Sequence, residues 1–259
     1  MKKVILGCLL LILASCGKKE IIVSDLSYEV ESNIPQISNI NDLNELDYLP
    51  YLIEDRLNNI KSYTKETTGS TKAKLIFQFT QNLTSTTSRY NDYYSFESNS
   101  NSTLVNSYHK MIEHGKEIKY KENKNDEYTL IDQDSYIKSF GIVPSTNPLE
   151  GLILSKEAIK EVTLIEENDN KEYKILFDNE YATVNIKKQM IKFGDLKSSP
   201  VFSEIYVTYH IKDDFTPLSL SFHSSYTVDF GGFKNVKCTQ NYSSTFNYDV
   251  DTSSLIEQF

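Results

Sequence analysis

Over long stretches of this chain apolar and polar residues alternate, the period that puts every second side chain on one face of a β-strand. Ile205, Val207, Tyr209 and Ile211 alternate with Tyr206, Thr208, His210 and Lys212. Asp213 and Asp214 then supply a turn, and beyond Pro217 the pattern resumes. Leu218, Leu220, Phe222, Tyr226 and Val228 take one phase, and Ser219, Ser221, His223, Ser225 and Thr227 the other. This predicts a long antiparallel hairpin with one wet face. Gly231 and Gly232 mark a second turn, after which Val236, Cys238, Tyr242, Phe246 and Tyr248 carry a third strand.

Earlier in the chain Leu75, Phe77, Phe79 and Leu83 share a phase opposite Gln78, Thr80 and Asn82. Tyr94 and Phe96 continue the theme, as do Tyr108 and Ile112, then Ile118 and Tyr120 after the turn residue Gly115. Two further strands are predicted at Glu161 to Glu167 and Lys171 to Phe177, joined by Asn168, Asp169 and Asn170. Helices interrupt the meander. Pro50 opens one that runs to about Lys61, with Ile53, Arg56, Leu57 and Ile60 returning at helical spacing. Others are predicted at about Asp134 to Phe140, around Ser155 to Ile159, and at Glu180 to Phe193 before Gly194. Residues 45–259 thus read as a single α+β domain built on antiparallel strands.

The first residues follow a different logic. Lys2 and Lys3 precede a short apolar run from Val4 to Leu13, the layout of a secretion signal. The run is about half of the ~20 residues that span a bilayer as a helix. Leu13, Ala14, Ser15, Cys16 and Gly17 follow, and they resemble the lipobox of bacterial lipoproteins. That resemblance implies cleavage before Cys16, leaving 1–15 as signal peptide, and acylation of the Cys16 thiol. Several acyl chains give lasting attachment where one gives marginal binding. The expected location is extracytoplasmic and lipid-anchored, with the inner or outer membrane left open. Residues 16–44, polar and rich in Asn and Ser with Pro35, read as a tether.

Charge and cysteine content narrow the functional classes. The chain has 27 basic and 36 acidic residues; without Lys2 and Lys3 it keeps 25 against 36, a net charge of −11. Such a surface repels nucleic acid, so no nucleic-acid partner is expected. With Cys8 in the signal and Cys16 acylated, only Cys238 remains, so no internal disulfide is expected, and its strand phase reads as packing rather than as a reactive thiol. No nucleophile elbow, HExxH helix, phosphate loop or paired-cysteine motif occurs, so no catalytic residue, metal site or cofactor is assigned. His109 and His114 are five apart, which sends them to opposite faces of a strand, and they read as surface residues. His210 and His223 share the polar phase of the hairpin and are expected to face each other as a cross-strand pair without a third metal ligand.

A lipoprotein signal, a tether, a helix, a long antiparallel meander with helical interruptions and a closing three-stranded unit together resemble the LolA/LppX-like half-barrel lipoproteins. The resemblance rests on order and patterning over nearly the whole mature chain, and no residue motif defines it. It implies a long curved antiparallel sheet with two to four helices on its concave side, enclosing a cavity for acyl chains or another hydrophobic small molecule. The cavity wall would then draw on Phe77, Phe79, Tyr94, Phe96, Val207, Tyr209, Leu220, Phe222 and Tyr242. The same residues would equally fill an ordinary core, since any one-sided sheet shows an apolar phase. Two further classes stay open: a non-enzymatic envelope module binding a protein or glycan through its polar face, and a hydrolase or metal enzyme.

Overall fold

The computed structural model of the chain describes residues 34–75, 78–102, 106–140, 152–167, 170–193, 196, 198–230 and 233–259. Cys16, the signal peptide, Phe77 and the glycines at 194, 231 and 232 lie outside the described residues.

Eleven strands form one open antiparallel sheet: β1 (Ser62–Lys74), β2 (Gln78–Tyr90), β3 (Tyr93–Ser102), β4 (Asn106–His114), β5 (Glu117–Lys121), β6 (Thr129–Asp132), β7 (Ile159–Glu167), β8 (Lys171–Phe177), β9 (Val201–Ile211), β10 (Pro217–Phe230) and β11 (Phe233–Asn247). Their spatial order is β6-β5-β4-β3-β2-β1-β11-β10-β9-β8-β7. Two meanders, one from each half of the chain, therefore meet where β1 pairs with β11, and β6 and β7 form the outer edges. Helices α1 (Leu49–Asn59), α2 (Gln133–Phe140), α3 (Val184–Phe193) and α4 (Leu255–Gln258) complete an α+β fold.

The registers trace one face from β2 to the β7 edge of the sheet. Leu83, Gly69, Tyr242, Phe222, Val207, Ile175 and Val162 stand opposite one another in turn from β2 to β7. This inner face, one phase of every strand, carries two apolar clusters. The larger gathers the inward residues of β8 to β11 with Leu49, Leu52, Ile53 and Leu57 of α1, Val184, Ile186 and Met190 of α3, and Leu152 to Leu154. The smaller joins Tyr94, Phe96, Met111 and Ile118 to Tyr136 and Phe140 of α2. Three of the four helices among the described residues thus pack against the inner face. The fourth, α4, contacts β3 on the outer face, where the ring of Phe259 stands 6.3 Å from Tyr93 and 5.5 Å from His114.

Local chemistry explains the boundaries. Pro50 sits in the first turn of α1, where its missing N–H costs nothing, and the helix ends as Ile60 turns extended. α3 begins at Val184, four residues later than the apolar pattern suggests. The Asp178 carboxylate accepts the backbone N–H groups of Glu180 and Tyr181 at 2.8 and 2.9 Å, which holds the preceding residues in a turn. Gly115 takes φ 60° between β4 and β5, as a tight turn there requires. Residues inside the expected tether (16–44) meet the sheet: Ile40 is buried, and its N–H donates to the Asp213 carbonyl at 2.8 Å.

Candidate functional site: the inner face of the sheet

Of the nine residues expected to line a cavity, eight are described, and all eight are buried on the inner face. Phe79, Tyr94 and Phe96 come from β2 and β3, Val207 and Tyr209 from β9, Leu220 and Phe222 from β10, and Tyr242 from β11. They do not form one group. Tyr94 and Phe96 belong to the smaller cluster under α2, and the rest to the larger cluster.

Between the two clusters the inner face is polar. Facing residues run His109, Ser98, Ser85, Thr67 and Ser244 across β4, β3, β2, β1 and β11. Two rungs along, Gln81, Thr71, Gln240 and Ser224 continue the polar surface onto β10. Thr67, Thr71, Thr87, Ser98, Ser224, Gln240 and Ser244 are all buried. Part of this seam is internally satisfied: the Thr67 and Ser244 hydroxyls pair at 2.8 Å, Ser224 donates to Gln240 at 2.9 Å, and Gln240 donates to the Tyr226 hydroxyl at 3.2 Å. Tyr242 leans across β1, with its hydroxyl 3.0 Å from Thr71 Oγ1 and its ring over Gly69. A Cβ at position 69 would collide with that ring and with the Asn241 carbonyl, so only glycine admits the approach.

Other polar atoms of the seam have no partner. Thr87 Oγ1, Gln81 Oε1 and His109 Nδ1 are buried without a hydrogen bond. An unpaired buried polar group costs about 1–3 kcal/mol, so their retention calls for an explanation.

His109 departs from the surface position that its polar character predicts. It and His114 do point to opposite faces, but His109 is fully buried rather than on the surface. Its Nε2 shares a 2.9 Å hydrogen bond with the Tyr136 hydroxyl, and the rings of Phe140 and Tyr120 stand 5.0 and 6.1 Å away. Burial lowers its pKa from 6.5 to about 3, so the ring is neutral at physiological pH. Nearby, Gln133 donates to the buried Glu113 carboxylate at 3.1 Å. Burial also pushes the Cys238 thiol up to about 11, in keeping with a packing role.

The outer face differs. His210 and His223 do not face each other: His210 lies opposite Ser219 and Glu172, and His223 opposite Tyr206. The shared polar phase was correct, but the hairpin register sets them four residues apart. His223 instead stacks on Tyr206 at 4.8 Å, donates from Nδ1 to Asn241 Oδ1 at 2.8 Å, and lies 3.3 Å from Glu204. Lys174 Nζ sits 3.9 Å from the centre of the Tyr206 ring. Among the described residues no group of three or more His, Cys, Asp or Glu side chains is placed to hold a metal, and no helix is long and apolar enough to cross a membrane.

The chain matches no protein-family profile and no curated protein. Among solved structures it is similar to a DUF1329 family protein from Desulfovibrio piger, at 8% identity, over 82% of this chain and 98% of that one, with a TM-score of 0.29. It is also similar to a LolA superfamily protein from Nitrosomonas europaea, at 7% identity, over 80% of this chain and 96% of that one, with a TM-score of 0.22. Likenesses this distant carry no argument about activity. The fold rests on the strand order and registers described above.

Proposed function

We propose that this protein is an extracytoplasmic lipoprotein, anchored through lipid on Cys16, that holds a lipid or another hydrophobic ligand against the inner face of its sheet. The observation that carries the ligand reading is the composition of that face. Two apolar clusters, each backed by helices, flank a buried polar seam in which Thr87, Gln81 and His109 leave hydrogen-bonding atoms unused. A purely structural core has little reason to keep such atoms, whereas a surface shared with an amphiphile does. The anchor rests on the order of residues from Lys2 to Gly17.

Organic extraction of the protein purified without added lipid, followed by mass analysis of the extract, tests the ligand reading. A single lipid class near one per protein is the expected result, and an extract no richer than that of an unrelated protein prepared alongside would overturn it. Fractionation tests the anchor: Cys16→Ser should move the protein to the soluble fraction, and retention that only detergent relieves would count against lipidation.

A second reading has an observation of its own. Tyr206, His223 and Lys174 form a stacked group on the outer face, of the kind that binds a protein or glycan. It predicts that Tyr206→Ala abolishes capture of a partner while ligand content is unchanged.

A further inference from the structure

Like charges that stand directly opposite across two antiparallel strands destabilise the pair. Lys74 of β1 and Lys237 of β11 stand in that relation on the outer face, and Lys72 lies one outward rung along β1. Lys234 belongs to the same end of β11. All four lysines are exposed, and among the described residues none of their ammonium groups has an ion-pair partner. An acidic side chain at this end, Asp229, accepts the Asn235 backbone N–H at 2.6 Å. The outer row continues from Lys74 and Lys237 through Thr227 to Val201, which is 64% exposed, and Phe233 at the start of β11 is 38% exposed. A chain of net charge −9 therefore carries a cationic tip, with two bare apolar side chains in it, where β1, β9, β10 and β11 end together. Exposed apolar groups elsewhere keep different company. Leu164 and Ile165 on the β7 edge stand among Glu161, Glu166 and Glu167, and Tyr128 and Leu130 at the β6 edge follow Asp126 and Glu127.

We infer that this tip docks on an anionic membrane surface, with the lysines against headgroup phosphates and Val201 and Phe233 entering the boundary with the acyl chains. Both kinds of side chain fit that partner. A lysine gains from the negative potential of an anionic leaflet, and its long stem keeps the ammonium among the headgroups while apolar neighbours go deeper. The bilayer supplies the counter-charge that the Lys74–Lys237 pair lacks within the chain. A soluble anionic polymer would leave Val201 and Phe233 in water. The chain enters the sheet at the opposite end, where Ile40 donates to the Asp213 carbonyl. The tip is thus separate from the inner face and from the expected anchor at Cys16, about 45 Å away along the 14 residues of β10. A domain held at both ends lies along the bilayer instead of standing off it.

The test uses the full chain carrying Cys16→Ser and Val201→Trp. The chain has no other tryptophan, so emission reads the tip separately from any attachment through the first residues. Vesicles containing equal parts of phosphatidylglycerol and phosphatidylcholine should shift the emission to the blue in a saturable way, phosphatidylcholine alone should not, and about 0.5 M salt should reverse the shift. Lys74→Glu with Lys237→Glu keeps a like-charge pair, and with it the cross-strand repulsion, while reversing the field. The lipid concentration at half-response should then rise about tenfold or more. Lys74→Glu alone places opposite charges across the two strands, so it should raise the melting temperature and still weaken the response about fivefold, a split that a role in folding alone does not produce. A response to phosphatidylcholine as strong as that to the anionic vesicles, or one unmoved by the lysine variants, overturns the inference, as does the lack of any response in a protein that melts normally. None of these outcomes bears on the ligand reading, which extraction tests on its own.

Discussion

The two halves of the inner face are built from the same kind of strand and differ in what they turn inward. Across β8 to β11 the inward residues are Tyr173, Ile175, Val207, Tyr209, Leu220, Phe222 and Tyr226, an apolar surface sealed by α1 and α3. Across β1 to β3 the buried Tyr63, Phe79, Tyr94 and Phe96 share the inner face with Lys65, Thr67, Thr71, Thr87 and Ser98, which are buried to a similar degree, and with the half-buried Ser85. Burial of the first set drives folding through the hydrophobic effect. Burial of those polar groups contributes little of that kind and leaves atoms unsatisfied. The difference is that one half is where the sheet is held together and the other is where it has unused hydrogen-bonding capacity.

Substitutions should separate the two halves, the largest effects falling on the apolar side. Phe222→Ala, at a side chain 2% exposed, should cost about 3–5 kcal/mol in denaturant unfolding, whereas Thr87→Val should cost nothing measurable. A loss at Thr87 as large as that at Phe222 would erase the distinction. At the junction of the halves, Gly69→Ala places a methyl group where the Tyr242 ring and the Asn241 carbonyl lie, and about 1–3 kcal/mol should be lost. Gly69→Ala combined with Tyr242→Ala should recover part of that strain, which double-mutant unfolding would detect.

A pH effect of similar size should come from the polar half. Because His109 titrates at about 3 when folded and near 6.5 when unfolded, its neutral burial contributes fully above pH 6.5. As pH falls from 6.5 toward 3 the unfolded chain takes up the proton first, and stability is lost. Between pH 7.5 and 5 the loss attributable to His109 should be about 2 kcal/mol, an order-of-magnitude figure. His109→Gln should flatten the pH dependence by that amount, and an unchanged slope would mean the ring is not buried as described. The smallest effect is expected at the rim. Arg56 donates to Asp214 at 2.6 Å and to Thr216 at 2.9 Å, but both charged side chains are near half exposed, so Arg56→Ala should cost at most about 1 kcal/mol.

The same contrast decides what the sequence made legible. The apolar alternation of β9, β10 and β11 predicts their order and inward phase, although β9 begins four residues before Ile205 and β11 three before Val236 and ends short of Tyr248. β1 was not assigned at all, although it is the strand on which the two meanders join. Its inward residues Lys65, Thr67, Gly69 and Thr71 give no hydrophobic alternation, and its partners on β2 and β11 supply the pattern that it lacks. β6, only four residues long, was missed for want of length. His109 was read as exposed because polarity normally marks the wet face. Its burial depends on Tyr136 and Phe140, which α2 brings back onto β4 from more than 25 residues away. Likewise the separation of His210 from His223 follows from a register that turn residues alone did not specify.

The claim that the inner face holds the ligand can be tested by position, because the chain contains no tryptophan. Leu83→Trp places a fluorophore at the boundary between the halves, and Tyr206→Trp places one on the outer face. Each variant would be titrated with a lipid brominated in its acyl chains, a quencher that acts only at short range. Saturable quenching is expected at position 83, reaching its limit near one lipid per protein, with position 206 unaffected. Quenching at 206 with none at 83, in variants that melt as the parent does, would contradict it.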